Sequence, residues 1–425
     1  MPIPRSSLTI VLGLLLAARS PVAQVPSAPD TLTLDALYEQ VRRTNPSLPA
    51  ADASARAVRA RAASAGVLAD PQLQVGWMNY MLPSLAPMPT LGMTQLQVMQ
   101  MIPVAGQLGI ARDVADAKAS AMGSRADAAW WEVRMRAAEL FHMLYQTEGR
   151  LGVMRETLQL LADIRRSAEA MYRVGDGRQT DVLRAQVEIA RMAEDTLTMH
   201  AEAEGIRARL NALLDRHPDS PVGAPRLVAV PHGPPTVERL VARAAESRPM
   251  IAAAAAETEA AERMSVLARR ELYPDLQLGV QFGQREGERM GSLMIGASLP
   301  LFARRRQYRE REAADAMRAM AAAEETMVRA ETFGAIGVAR AELERARRLQ
   351  LLYRTTILPQ AEATVASARA AYRGGQVDFM TLLESQMAVN AFRQELLTLQ
   401  ADEGRAWAEL EMLVGTELTR EGSTP

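Results

Sequence analysis

Two stretches decide the fold: Asp70-Pro71-Gln72-Leu73-Gln74-Val75-Gly76 and, offset by 203, Tyr273-Pro274-Asp275-Leu276-Gln277-Leu278-Gly279. In each, a proline ends a helical pattern and opens a strict alternation. Leu73, Val75 and Trp77 fall on one face, with Gln72, Gln74 and Gly76 on the other. In the second copy, Leu276, Leu278, Val280 and Phe282 alternate with Asp275, Gln277, Gly279, Gln281 and Gly283. Each has a companion segment: Leu96 and Val98 oppose Gln95 and Gln97, and Leu293, Ile295, Ala297 and Leu299 oppose Ser292, Met294, Gly296 and Ser298. A two-residue period with one apolar face means β-strand. Strands of about 10 residues can cross a bilayer at a tilt, and a small, uncharged opposite face suits a water-filled lumen. Trp77 and Tyr80 sit near one strand end, where a membrane girdle of aromatics would lie. A soluble sheet packed on a helix would show the same alternation.

Working outward, the whole chain is written twice. Asn45-Pro46 is answered by Arg248-Pro249, Gln100-Met101-Ile102-Pro103 by Ser298-Leu299-Pro300, Met171-Tyr172-Arg173-Val174-Gly175 by Ala371-Tyr372-Arg373-Gly374-Gly375, and Leu210-Asn211-Ala212-Leu213-Leu214 by Leu410-Glu411-Met412-Leu413-Val414. The offsets run from 197 to 203 and the order is kept. The expected division is a first repeat over 24–215, with strands at about 71–81 and 92–102 and a helical hairpin over 104–215. A proline-rich linker follows at 216–235. The second repeat covers 236–415, with strands at about 274–285 and 291–301 and a hairpin over 303–415, and the tail is 416–425.

The helices are unusual in length. Val104 to Tyr172 contains no proline and Ala303 to Tyr372 only Pro359, so each segment would be about 100 Å long if continuous. Leu140, Leu144, Leu151 and Met154 have the spacing of an antiparallel coiled-coil pairing. Pro359 should kink its helix. Four strands cannot close a barrel, and open edges in lipid leave backbone groups unpaired. Three copies, giving twelve strands, are the economical closure.

Composition narrows the function. Of 425 residues, 49 are basic and 50 acidic, so no basic excess points to nucleic acid. There is no cysteine and there are only four histidines, which excludes thiolate sites and leaves no His-based metal centre. We find no catalytic cluster, so the chain reads as a non-enzyme with no cofactor and no resident metal. Arg5, the apolar run Leu8–Ala18 and the small residues up to Ala23 have the layout of a secretory signal peptide over 1–23. Without cysteine the mature N-terminus cannot be lipid-anchored through one.

This layout resembles the TolC family of outer-membrane efflux ducts, over about Leu32 to Gly415. The carriers are the duplicated strand–strand–hairpin unit and the paired tips, Tyr172-Arg173-Val174-Gly175 through Asp181-Val182-Leu183-Arg184-Ala185-Gln186 and Tyr372-Arg373-Gly374-Gly375 through Leu382-Leu383-Glu384-Ser385-Gln386. The segments Gln100–Gln107 and Leu299–Arg306 look like the heavy-metal branch, similar to CusC and CzcC, although Ala303-Arg304 stands where that branch usually carries Asn-Arg. The resemblance implies a mainly α chain with a membrane β-barrel. Four strands per chain would complete a 12-stranded barrel in a homotrimer, continued by a periplasmic α-helical barrel. It implies a periplasmic adaptor (membrane fusion) protein, an inner-membrane pump of resistance-nodulation-division type and outer-membrane lipid as partners, with Arg304, Arg305, Arg306, Arg309 and Arg311 read as the periplasmic foot of the barrel, facing lipid headgroups or neighbouring acids. It places a periplasmic gate at Asp181, Thr381 and Glu384, and adaptor contact at Arg173, Val174, Gly175, Arg373, Gly374 and Gly375. The expected function is export of small solutes, heavy-metal ions among them. Alternatives are a drug-efflux or type I secretion channel, or a periplasmic coiled-coil adaptor. Met78, Met81, Met88, Met93, Met99 and Met101 crowd one strand–loop–strand unit; their thioethers suit Cu(I), though methionine is more often a packing residue.

Overall fold

The computed structural model describes residues 31–83, 86–88, 93–228, 230–231, 235–285, 288–299 and 301–418. The expected signal peptide, His232, Pro300, the 92 end of the second strand and the tail beyond 418 lie outside the described residues.

Each repeat begins with two short helices. Thr33 caps α1 (Leu34–Thr44) by accepting from the Ala36 amide at 3.3 Å, and α2 (Ser47–Ala65) follows the Asn45-Pro46 break. Two strands, β1 (Gln72–Met78) and β2 (Met93–Ile102), lead into α3 (Gln107–Arg173), a single helix of 67 residues, and α4 (Gln179–Leu213) returns from it. The second repeat gives α5 (Val237–Ser247), α6 (Pro249–Arg270), β3 (Leu276–Arg285), β4 (Glu288–Ala297), α7 (Gln307–Leu352), α8 (Leu358–Arg373) and α9 (Phe379–Val414). Gln307 to Arg373 matches Gln107 to Arg173 residue for residue at an offset of 200.

One difference separates the rods. Tyr353–Ile357 forms a π-helical turn between α7 and α8. Pro359 has no N–H, and its ring would press on the Thr355 carbonyl one regular turn back. Widening the turn accommodates it, so the kink expected at Pro359 takes the form of a π turn just before it. Several strand ends also move. The strand expected over 71–81 stops at Met78, because Asn79 turns to φ 56° and sends Tyr80–Met81 into a separate small ladder with Ala86–Pro87. The fourth strand starts at Glu288 rather than about 291 and ends at Ala297 rather than 301.

The four strands form one antiparallel sheet in the order β1-β2-β3-β4. Its register sorts the side chains into two faces. Leu73, Val98, Val280 and Leu293 align across the sheet, as do Val75, Leu96, Phe282 and Gly291. The reverse face carries Gln74, Gln97, Gln281 and Ser292 in one row and Gln72, Met99, Gly279 and Met294 in the next. The Gln281 amide donates to the Gln95 carbonyl oxygen on that face. Gly279 makes room there: a Cβ on it would stand 3.1 Å from Met294 Cε and 3.4 Å from Met99 Cγ. Of the clustered methionines, Met78, Met93, Met99 and Met101 share this polar face, while Met81 belongs to the small ladder.

The helical cores are duplicated too. Leu37 and Val41 of α1 are buried on α3, and their counterparts Leu240 and Ala244 of α5 are buried on α7. The coiled-coil positions Leu140, Leu144, Leu151 and Met154 are all buried. A polar strip joins α3 to α9. Tyr145 donates to Gln400 at 2.8 Å, Gln146 to Thr398 at 2.9 Å and Arg150 to Gln394 at 3.1 Å. Above it, His142 packs so closely on Gly404 that a Cβ there would overlap its ring. Higher still, Arg134 is held by Glu411 at 2.8 Å and Glu417 at 2.6 Å, and stacks over the Tyr38 ring at 4.1 Å. Among the described residues, no helix is long and apolar enough to cross a membrane.

Candidate functional site: the two hairpin tips

Both hairpins reverse by the same turn. In the first, the Gly175 amide donates to Tyr172 O at 3.2 Å and the Asp176 amide to Met171 O at 3.0 Å. In the second, the Gly375 amide donates to Tyr372 O at 3.1 Å and the Gln376 amide to Ala371 O at 2.9 Å. Gly175 and Gly375 occupy φ 87° and 69°, where an L side chain is strained. The exposed residues at the ends are Arg173, Val174 and Gly175 on one tip and Arg373, Gly374 and Gly375 on the other. These are the positions expected to meet an adaptor.

The side chains around the turns are not duplicated. Tyr172 is 48% exposed, whereas Tyr372 is 6% exposed and packs edge-on against Phe379, with ring centroids 5.9 Å apart. The paired Tyr-Arg of the sequence therefore splits into one surface tyrosine and one core tyrosine. Burial holds the Tyr372 phenol above its usual pKa, and the nearby Asp181 carboxylate pushes it further up. Asp181 thus faces Tyr372 across the two hairpins. One turn on, Asp378 caps α9. Its carboxyl accepts from the Thr381 hydroxyl at 2.6 Å and the Thr381 amide at 3.0 Å, and these bonds hold it below the usual carboxylate range, with Arg184 of the first hairpin adding to the effect.

Of the three expected gate residues, Asp181 is half-buried at the junction between hairpins. Thr381 is engaged as the partner of Asp378 rather than standing as a free polar group. Glu384 is exposed on α9 and pairs with no basic side chain among the described residues. Tyr372 and Arg184 stand in the tip stretches but carry no assigned role in the sequence reading, and Asp378 has none there either. The one available signal was Asp378 three residues before Thr381, the spacing of a helix cap. At the other end of the molecule, Trp77 projects from the last turn of β1, and the Tyr80 hydroxyl is 3.0 Å from Thr94 Oγ1 at the neighbouring strand end. Among the described residues no group of three or more His, Asp or Glu side chains is placed to hold a metal ion.

The model of the family described as outer membrane efflux protein matches residues 240–416, which hold β3, β4 and the whole second hairpin. The chain is similar to that family over its second repeat. No protein with a curated description matches it. Among solved structures, VceC, an outer membrane protein from Vibrio cholerae, is 20% identical; the match covers 90% of this chain and 96% of that one, with a TM-score of 0.78. The Campylobacter jejuni CmeC outer membrane channel is 14% identical over 98% of this chain and 93% of its own, with a TM-score of 0.78. CusC, whose structures concern folding and transmembrane channel formation, is 18% identical over 90% and 92%, with a TM-score of 0.77. That fold likeness accords with the two-faced sheet, whose apolar rows and glutamine rows lie on opposite sides.

Proposed function

We propose that this chain is the outer-membrane channel subunit of a tripartite efflux system, a homotrimer whose twelve strands close a barrel with the apolar rows toward lipid and the glutamine rows toward the lumen. Its long hairpins form the tunnel wall, meet a periplasmic adaptor at their tips and pass small solutes from an inner-membrane pump to the exterior. The observation that carries this reading is a sheet apolar on one face and amide-lined on the other, open at both edges, and continuous with two rods of equal length. A pump of the resistance-nodulation-division type fits the heavy-metal resemblance of the Gln100–Gln107 and Leu299–Arg306 segments. The tips act as the periplasmic gate. Asp181 and Arg184 of the first hairpin lie near Tyr372 and Asp378 of the second and gather charge at the tips, and Glu384 contributes negative charge to the mouth. Arg173, Val174, Gly175, Arg373, Gly374 and Gly375 are the adaptor contacts.

The test is single-channel conductance in planar bilayers. Asp181→Ala with Tyr372→Phe should raise the leak of the isolated trimer several-fold, and adding Glu384→Ala should alter its cation preference. Conductance equal to wild type in the double variant would remove these residues from the gate. A second reading concerns cargo. Methionines Met93, Met99 and Met294 face the lumen beside Gly279 and Gly283, which favours soft cations over bulky organic solutes. Cells carrying the system should then lose silver tolerance before detergent tolerance when these three are changed to leucine. The opposite order would favour drug efflux.

A further inference from the structure

The lipid-facing stripe does not end with β4. The Ser298 amide donates to Asp275 O at 2.9 Å and the Asp275 amide to Ser298 Oγ at 3.0 Å, so the ladder geometry persists one residue past the strand. Leu299 therefore continues the face of Leu293 and Ile295, and the chain runs on into Leu301 and Phe302, which are 81% and 76% exposed. A soluble surface has no use for three such side chains within four positions. Immediately beyond them stand five arginines, Arg304, Arg305, Arg306, Arg309 and Arg311, against Glu310 and Glu312. Arg306 pairs with Glu310 at 3.4 Å, Arg309 with Glu312 at 2.6 Å and Arg311 with Asp315 at 3.8 Å. Arg304 and Arg305 have no carboxylate within ion-pair distance among the described residues. Leu301, Ala303, Arg304, Tyr308, Arg309 and Glu312 line one open groove of about 590 Å³.

The other repeat supplies an internal comparison. After β2 the chain reads Pro103-Val104-Ala105-Gly106-Gln107 and enters α3 with no basic residue before Arg112. Turning from strand to rod therefore requires no arginine, and the charge after β4 needs another reason. Its position supplies one: it lies where the apolar belt stops on the periplasmic side, at the depth of phospholipid headgroups. Guanidinium forks match phosphate oxygens, and arginine stems lie readily along apolar surface while the charge stays at the headgroup level.

We propose that this groove binds the headgroup of an anionic phospholipid of the periplasmic leaflet, one per protomer. Arg304 meets the phosphate inside the groove with Tyr308 and Arg309 flanking it, Arg305 adds charge from just outside, and the acyl chains lie along Leu301 and the exposed Leu299 and Phe302 beside the groove. The placement rests on the membrane orientation of the proposed channel. Continuity with the lipid face favours lipid over a soluble anion or a protein acid, because those would leave the apolar trio uncovered.

The test is native mass spectrometry of the trimer extracted into mild detergent and incubated with an equal mixture of phosphatidylglycerol and phosphatidylcholine. Wild type should retain up to three phosphatidylglycerol molecules in preference to phosphatidylcholine. At about fivefold per arginine, Arg304→Gln with Arg305→Gln should cut that preference at least tenfold. Arg304→Lys with Arg305→Lys keeps the charge and should keep most of the preference. Equal retention of the two lipids by wild type, an unchanged Gln variant, or full displacement of the lipid by inorganic phosphate would each overturn the assignment. A protein that is not extracted from membranes as a trimer would instead remove the channel reading itself.

Discussion

His142 offers a perturbation whose size can be worked from its surroundings. The ring lies at the α3–α9 seam, 3% exposed, edge-on to Phe141 with centroids 5.3 Å apart, and its Nδ1 has no hydrogen-bond partner. Burial first, and the Arg405 guanidinium second, lower its pKa from 6.5 to about 4. The folded chain therefore keeps the neutral ring at a pH where the unfolded chain has taken up a proton. Stability from this site is complete above the unfolded value and is lost as pH falls from 6.5 toward 4. A tenfold change in proton affinity is worth about 1.4 kcal/mol, so the full loss is about 3 kcal/mol per protomer, and about 2 kcal/mol of it falls between about pH 7.5 and about pH 5.

Replacing His142 by leucine keeps a side chain of similar volume and removes the titration. Guanidinium unfolding of the detergent-solubilised trimer, followed by its helical signal at these two pH values, gives four stabilities. Wild type should lose about 2 kcal/mol per protomer more than His142→Leu on acidification. The carboxylates that also titrate are common to both proteins and cancel in the difference. Whatever the variant does to absolute stability cancels as well. Equal pH slopes would refute the claim that this ring is held neutral.

Three further outcomes follow from the packing. Gly404→Ala would drive a methyl into the His142 ring and should destabilise by about 1–3 kcal/mol, most of it recovered when His142→Ala is added; melting of the single and double variants checks it. Glu411→Ala leaves Arg134, whose side chain is 10% exposed, with the exposed Glu417 as its remaining carboxylate and should cost about 1–3 kcal/mol by denaturant midpoint, whereas Glu411→Ala with Arg134→Met should cost less. Phe282→Arg on the lipid face should lower stability in vesicles by about 2–4 kcal/mol, while Gln281→Arg on the lumen face changes it little; the reverse order would invert the two faces.

Much of this architecture was legible because its signals are local. Alternation in Leu276–Phe282 marks a strand wherever it occurs, and an offset near 200 ties two halves together without reference to space. The tips were legible only as backbone. Gly175 and Gly375 announce the turn, but nothing in Tyr-Arg-x-Gly distinguishes exposed Tyr172 from buried Tyr372, since the difference arises from Phe379 and the opposing hairpin. The hydrogen bond from the Thr381 hydroxyl to the cap residue Asp378 is a local contact that the resemblance placing Thr381 at the gate does not carry. The pairing of Arg134 with Glu411 joins residues 277 positions apart, and such contacts leave no periodic trace. The early end of the first strand turns on one φ angle at Asn79, beyond the reach of a two-residue pattern.

The asymmetry at the tips has a physical consequence for a duct built from two copies of one hairpin. Were the repeats identical in side chains, six equivalent hairpins would ring the mouth of a trimer and no interface between them would be weaker than another. Here the second tip carries the buried aromatic pair Tyr372 and Phe379 and the cap Asp378, while the first supplies Asp181 and Arg184 to face them. Separating the two within one protomer exposes both rings and strips Asp181 and Arg184 of their neighbours together. Further along, the bonds from Tyr145, Gln146 and Arg150 to α9 keep the rods paired. Between these two zones the second rod contains the π turn at Tyr353–Ile357, and α3 has no counterpart to it. A regular helix resists bending, and a π turn followed by proline is a place where one bends at least cost. In the proposed duct, equal rod lengths would let the tunnel close around its axis, and unequal tips and joints would let its mouth part along one kind of seam.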